Sequence, residues 1–228
     1  MPHAQFPIPK PIAVSLFSGA GGMDLGVAQA GFKVLASIEK DPYCCETLRF
    51  AAWLDNLETE VIEADVTNIE PQQLMNELSL KAGELDLLFG GPPCQPFSQI
   101  GQKKGLEDER GLLLFQILRF AEALQPKFIS IEQVKGLLSA RGTNGDKGAI
   151  FNLLIAELEK IGYVPRWQVV NAANYGVPQL RGRSGTARNL DQYRQIANSV
   201  PPPVAKALAV EIYRSLVCQK YLNCSVTP

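Results

Sequence analysis

Histidine is almost missing from this sequence: a single one, His3, stands in 228 residues. That removes the usual general base of nucleophilic hydrolases, so no Cys–His or Ser–His pair can be built on the body of the chain. Cysteine is sparse as well. Cys44, Cys45, Cys94, Cys218 and Cys224 form an odd set of five with no C-x-x-C spacing. Neither a disulfide framework nor a zinc site can be drawn from them, and no metal is expected. Long apolar runs are lacking too, which argues against a membrane span. The prolines of "MPHAQFPIPKPIAVSLF" interrupt the apolar core that a signal peptide needs. The expectation is a cytoplasmic protein with a flexible leader over residues 1–11. There is no excess of positive charge either. Lys and Arg number 22 against 23 Asp and Glu, for a net charge of −1. A nucleic-acid partner therefore has to be met by a local basic patch.

What is present is a full core, with 46% hydrophobic residues, and a regular alternation. Apolar runs at Pro11–Phe17, Lys33–Glu39, Glu60–Asp65, Glu84–Gly90, Lys127–Val134 and Pro165–Ala172 read as six strands. Helical patterns separate them: one from about Asp24 ending at Gly31, then Pro42–Trp53, Leu112–Leu124 and Ala149–Ile161. A last helix starts near Pro202. Strands alternating with helices predict an α/β fold with a doubly wound parallel sheet. Such sheets bind ligands beyond the carboxyl ends of their strands. That directs attention to Phe17–Gly22, Glu39, Asp65, Gly90–Ser98 and Glu132.

After the first strand comes "FSGAGGMDLG". Gly19 and Gly21 fit a dinucleotide fingerprint, but Asp24 stands where its third glycine belongs, which weakens a nicotinamide oxidoreductase reading. Glu39 ends the second strand, where a carboxylate can hold ribose hydroxyls. Asp65 ends the third and can accept from an adenine amino group. Each acid alone reads equally well as a solvated loop residue; three features in register at adjacent strand ends favour a nucleoside cofactor.

After the fourth strand comes "GGPPCQPFSQIG". Pro93 and Pro96 fix the backbone on either side of Cys94, and a thiol so framed suits attack at a set angle. An isolated cysteine is otherwise most often an inert buried group. Glu132 closes the fifth strand in "ISIEQV". It reads as a partly buried proton donor or as the ion-pair partner of Lys127 or Lys135. Basic residues gather at Lys103, Lys104 and Arg110, and again at Arg181, Arg183, Arg188 and Arg194. They read as a solvated face or as phosphate contacts.

These residues together resemble the cytosine-5 DNA methyltransferases of bacterial type. "LFSGAGGMDLG" is similar to their cofactor loop and "GGPPCQPFSQIGQKKGLEDERG" to their catalytic loop. "ISIEQV" resembles their glutamate strand, with Gln133 in place of the usual asparagine. "NYGVPQLRGR" resembles the segment carrying their Gln-x-Arg-x-Arg. "RQIANSVPPPVAKALA" resembles their last motif. The resemblance implies a Rossmann-like S-adenosylmethionine-dependent methyltransferase sheet, with S-adenosylmethionine as cofactor, S-adenosylhomocysteine as product and DNA as partner. It implies that Cys94 attacks carbon 6 of a flipped cytosine and that Glu132 holds ring nitrogen 3. Arg183, supported by Arg181, would hold oxygen 2. Phe17, Ser18, Gly19, Gly21 and Gly22 would surround the cofactor; Glu39 would bind its ribose, and Asp65 and Val66 its adenine. Gly91, Pro93, Leu113, Asn198 and Ser199 would line the rest.

The resemblance breaks at one place. In the family a target-recognition domain separates Gln-x-Arg-x-Arg from the last motif. Here "SGTARNLDQY" alone stands between Arg183 and Arg194. The implied organisation is a catalytic and cofactor-binding domain over 12–183, a short linker over 184–193 and a returning C-terminal motif over 194–222. An engineered deletion and a decayed or split gene fit that gap alike. The expectation is weak, non-specific DNA binding, very low methyl transfer by this chain alone, and a bared surface open to self-association or a partner chain. Two further readings remain: a non-catalytic cofactor-binding remnant, and an RNA cytosine-5 methyltransferase.

Overall fold

The computed structural model describes residues 9–93, 109–142, 145–177 and 200–218. Its element order is β1 (Ile12–Leu16), α1 (Gly22–Gln29), β2 (Lys33–Glu39), α2 (Pro42–Leu54), β3 (Glu60–Glu63), α3 (Pro71–Glu77), β4 (Leu87–Gly90), α4 (Glu109–Leu124), β5 (Phe128–Ile131), α5 (Ala149–Lys160) and α6 (Pro202–Val217). The five strands form one parallel sheet in the order β3-β2-β1-β4-β5. The order reverses direction at β1, so the crevice between the loops after β1 and β4 is the topological switch point.

The period of two along β1 sorts its side chains between two cores. Val14 and Leu16 face one side, where Ile38, Leu74, Leu88, Ile117, Phe120 and Leu124 cover them with α3 and α4. Ala13 faces the other, where Leu87 and Phe89 of β4 meet Met23 and Val27 of α1 and Ala205 and Ala209 of α6. Phe89 and Phe120 have no solvent exposure; each such burial contributes about 1.5–3 kcal/mol. A third cluster joins Leu114 and Leu118 of α4 to Ile150, Leu154 and Leu158 of α5.

Local chemistry sets the boundaries. Asp41 caps α2, accepting from the Tyr43 and Cys44 amides, and Pro42 occupies the first turn. Gly31 and Gly162 stand at positive φ just beyond α1 and α5 and end them as C′ residues. α3 escapes a reading by periodicity because it is only seven residues long. The expected sixth strand is absent: residues 165–170 pair with nothing among the described residues, and the Asn171 side chain caps a short 3-10 helix, Ala172–Tyr175. The run has the composition of a strand but no neighbouring ladder, and composition alone does not make a strand.

Candidate active site

The chain leaves β1 through a strained corner. Phe17 has a φ of 56°, in the left-handed region that a bulky residue rarely visits. Gly19 and Gly21 follow at 54° and 81°. The Ser18 amide donates to the Ile38 carbonyl and the Gly21 amide to the Ser18 carbonyl, at 3.1 and 3.0 Å. The corner opens α1 without a side-chain cap among the described residues, and the amides of a helix's first turn are natural donors to a ligand. A β-carbon at Gly19 would meet nothing within 4 Å, so the space above the loop is open.

Glu39 faces this loop from the end of β2. Its Oε2 accepts from the Gly19 amide at 2.8 Å, and its Oε1 accepts from the Lys40 and Asp41 amides at 2.9 Å. Asp65 lies one strand further on. It accepts from the Thr67 amide and hydroxyl at 3.0 and 2.8 Å, and pairs with Lys40 Nζ at 3.1 Å. The Thr67 hydrogen bonds hold its carboxyl below the ordinary carboxylate value. The Val66 side chain points into the core, 3% exposed, so only its backbone remains for a ligand. Leu113 sits half-buried near the start of α4.

Beneath the loop is a buried polar cluster. Asp24 accepts from the Ser37 hydroxyl at 2.6 Å, and Ser18 Oγ donates to Ser15 Oγ at 2.8 Å. Burial pushes the Asp24 carboxyl up to about 6, against the lowering effect of the Ser37 hydrogen bond. Its Oδ2 is buried without a partner among the described residues.

On the other side of the switch point, β4 and β5 end together. The Glu132 amide donates to the Gly90 carbonyl at 3.0 Å. Its half-buried carboxyl stands beside Gly91, where a β-carbon would lie 3.3 Å from Oε2. Gln133 donates from Nε2 to the Pro92 carbonyl at 2.6 Å. β5 therefore grips the loop two residues before Cys94. Of the two lysines expected as alternative partners for Glu132, Lys127 and Lys135, the first pairs instead with Asp86 at 2.6 Å. Cys94, Arg181, Arg183, Asn198 and Ser199 lie outside the described residues. Cys44 and Cys45 are buried in α2, and burial pushes their thiols up to about 12 and about 11. Neither can serve as a thiolate near neutrality.

Three contacts escape the sequence. Arg119 of α4 donates to the Val66 and Ile69 carbonyls, both at 2.8 Å, fixing the segment that carries Asp65. Its only signal is a lone arginine in the apolar run "LLLFQILRF". The Ser37–Asp24 bond joins β2 to α1, the Gln133–Pro92 bond joins the chain just past β5 to the loop after β4, and neither leaves a local trace.

A family model for the C-5 cytosine-specific DNA methylases matches residues 13–187. This chain belongs to that family. Among its methylase relatives, the type II methyltransferase M.AquIA of Picosynechococcus sp. is 40% identical over 75% of this chain and 68% of its own length. M.PspPI of Psychrobacter sp. is 40% identical over 86% of this chain. The chain spans only 44% of that relative and 42% of M.NgoFVII from Neisseria gonorrhoeae. Among solved structures, a protein described as a prophage-encoded DNA modification methyltransferase of E. coli shares the fold. Its TM-score is 0.51 at 27% identity, covering 66% of this chain and 38% of that one. Among the described residues, no helix is long and apolar enough to cross a membrane.

Proposed function

We propose that this chain carries the chemical half of a cytosine-5 DNA methyltransferase, moving a methyl group from S-adenosylmethionine to carbon 5 of a cytosine turned out of the duplex. The observation that carries the reading is the meeting of Glu132 with Gly91 and of Gln133 with Pro92. It brings an acid and the frame of one thiol to the switch point. The residues present also fit the cofactor. The glycine corner is open, Glu39 presents a carboxylate over it, and Asp65 is a fixed acceptor beside it.

Phe17, Ser18, Gly19, Gly21 and Gly22 surround the cofactor, which supplies an electrophilic methyl group. Glu39 takes the ribose hydroxyls and Asp65, with the Val66 backbone, the adenine. Gly91, Pro93, Leu113, Asn198 and Ser199 close the pocket. Cys94 adds as thiolate to carbon 6 while Glu132 holds or protonates nitrogen 3 and Arg183, backed by Arg181, holds oxygen 2. The ring's electron pair is thereby directed to carbon 5, which would accept the methyl group that the cofactor supplies, leaving S-adenosylhomocysteine. Water would then take the carbon 5 proton as the Cys94 thiolate departs, and nitrogen 3 gives back any proton to Glu132, which restores the ring. Ten residues stand between Arg183 and Arg194, so DNA is gripped by a few basic side chains only. Binding is salt-sensitive and without sequence preference, on the order of 10⁻⁴–10⁻⁶ M, and turnover is low.

The test uses a pool of random duplexes in which 5-fluorocytosine replaces cytosine, with S-adenosylmethionine present. Fluorine cannot leave as a proton does, so the adduct persists. Expected is a covalent protein–DNA species that Cys94→Ser abolishes while cofactor affinity stays unchanged. An adduct that survives in Cys94→Ser, or that forms on transfer RNA in preference to DNA, overturns the assignment. The gap after Arg183 favours a second reading, a cofactor-binding chain that acts only with a partner. It predicts S-adenosylmethionine binding by calorimetry with no methyl transfer to any nucleic acid.

A further inference from the structure

Both faces of α2 are apolar. Its inner row, Cys44, Cys45 and Leu48, is buried against the sheet. Its outer row lies in solvent: Tyr43 is 59% exposed, Phe50 61%, Trp53 74% and Leu54 65%, with Leu57 just past the helix at 41%. The Phe50 and Trp53 rings lean on each other, with centroids 5.8 Å apart. At 3.6 residues per turn, positions 43, 50 and 54 share one stripe and 53 stands on its flank. The solvent face of a surface helix ordinarily carries polar and charged side chains, and here Glu46 is the charged residue inside the stripe.

The stripe is held on a rigid element. Asp41 and Pro42 fix the start of α2, and Arg49 ties its middle to Glu63 of β3 at 3.0 Å. Covering it therefore orders little beyond a few side chains. With roughly 150–250 Å² on each aromatic side chain, these exposures leave about 500–600 Å² of apolar surface on one face. That is the top of the range for the largest patch on a monomer, about 300–600 Å². Two such faces bury about 1,000–1,200 Å² together, which clears the roughly 1,000 Å² of a specific interface and falls short of the usual 1,600 Å². The stripe also complements itself. Around a two-fold axis at Phe50, antiparallel helices set Tyr43 against Leu57, and bulky Trp53 against the smaller Thr47, whose hydroxyl already donates to the Tyr43 carbonyl at 3.0 Å. Leu54 falls against Glu46, and a half-covered charge there keeps the pairing weak.

We infer that the outer face of α2 is a dimer interface, on which Tyr43, Phe50, Trp53 and Leu54 pack against the same residues of a second copy of this chain. The contact is isologous, so it closes at two copies and does not propagate. Its direction has a consequence for the site. α2 carries the chain from the carboxyl end of β2 back to the start of β3, two parallel neighbours. Antiparallel pairing of α2 then turns the carboxyl ends of the two sheets in opposite directions. Each copy keeps its own crevice at the switch point, and neither crevice is covered. The pairing is independent of methyl transfer and stands if the chain proves inert toward DNA.

The test is sedimentation equilibrium of the full chain, without cofactor or DNA, over a range of concentrations. Expected is a monomer–dimer equilibrium with a Kd of about 10–100 µM, as suits an interface at the small end of the range. Trp53→Lys sets a charge in the centre of the contact and weakens pairing about thirtyfold or more. Glu46→Leu completes the apolar stripe and tightens it about tenfold. Both positions are exposed, so both variants keep the parent's melting temperature. Val170→Lys, on an exposed apolar stretch outside α2, leaves the equilibrium unchanged. Three results overturn the proposal. One is a chain that stays monomeric at about 200 µM, twice the weakest Kd expected. Another is a dimer that Trp53→Lys leaves intact, which places the contact on a different surface. The third is an equilibrium that Glu46→Leu does not tighten, which means that the stripe is not covered in the dimer.

Discussion

The two sides of the switch point are built differently. On the β1–β2–β3 side the acids are held by neighbouring elements: Glu39 at the end of β2 by three amides, Asp65 after β3 by Thr67 and Lys40, and Asp24 in α1 by Ser37. On the β4–β5 side the strand ends are tied by the Glu132 backbone amide to the Gly90 carbonyl and by the Gln133 side-chain amide to the Pro92 carbonyl. Beyond them, the groups expected to act on the base are Cys94, on the loop that follows β4, and Arg181 and Arg183, from a stretch much further along the chain. The proposed cofactor side is preorganised by contacts among neighbouring strand ends and loops. The base side needs parts brought in from afar. Reactivity should therefore be the more fragile property, and cofactor binding the more robust.

The sharpest separation of the two sides comes from Cys94→Ala. Removing a nucleophile costs on the order of 10⁴–10⁶ in rate, so tritium transfer from labelled S-adenosylmethionine should vanish. Cofactor affinity by calorimetry should stay within about twofold, a difference below 0.5 kcal/mol. A matching loss of cofactor binding would mean that the two sides are one unit.

Gly90→Ala should break both sides at once. A β-carbon at Gly90 would run into the Leu16 carbonyl, which is backbone in the sheet's centre and cannot yield. Overpacking of this kind costs about 1–3 kcal/mol or more. The strain falls where β1 and β4 diverge, so denaturant midpoint and cofactor affinity should drop together. A variant of unchanged midpoint would show that the crevice can open without cost.

What the sequence made legible follows the same division. The strand ends were readable because apolar runs stop at Phe17, Glu39, Asp65, Gly90 and Glu132, and the fold's chemistry concentrates at such ends. Lys33–Glu39 was readable to the residue, since its buried alternation has turn signals on both sides. Pro165–Ala172 was not, because β propensity reports fitness for a pleated surface and says nothing of whether a ladder is there. Asp24 was seen only as a departure from a glycine pattern. Its bond to Ser37 links residues 13 apart in sequence across α1 and β2, which no local pattern encodes. Arg119 was hidden for the same reason.

Asp24 gives a prediction in pH. Its carboxyl has an ordinary value of 3.8, and burial raises it to about 6 in the fold. Between those values the folded state binds the extra proton, so stability falls as pH rises. The penalty is absent below the lower value and complete above the upper one, at about 3 kcal/mol. Asp24→Asn cannot ionise and keeps an oxygen for Ser37. Its melting temperature relative to the unsubstituted chain should therefore climb between pH 4 and pH 7. A flat difference across that range would show that Asp24 does not titrate there, and that the cofactor side is less dry than its burial implies.

The smallest effect, and the most selective, belongs to Glu39→Gln. The variant keeps the side chain's shape, and its one remaining oxygen can still accept from Gly19. Its amide then faces the Lys40 and Asp41 amides, donor against donor, where the carboxylate accepts from both. Two consequences separate. The entry to α2 loosens, since the Asp41 amide is turned by Glu39 while the Asp41 side chain caps the helix; loss of such a tie costs about 1 kcal/mol. The negative charge that would accept the ribose hydroxyls is also gone, and a charge-assisted hydrogen bond contributes about 1.5–3 kcal/mol. Cofactor affinity should fall by about tenfold to a hundredfold, with melting shifted by only a few degrees. Adduct formation with 5-fluorocytosine should return at saturating cofactor, because Glu132 and the Pro92 frame are untouched. Failure to recover the adduct at saturation would mean that Glu39, through the Gly19 amide, also shapes the base side, and that the division between the two halves is not real.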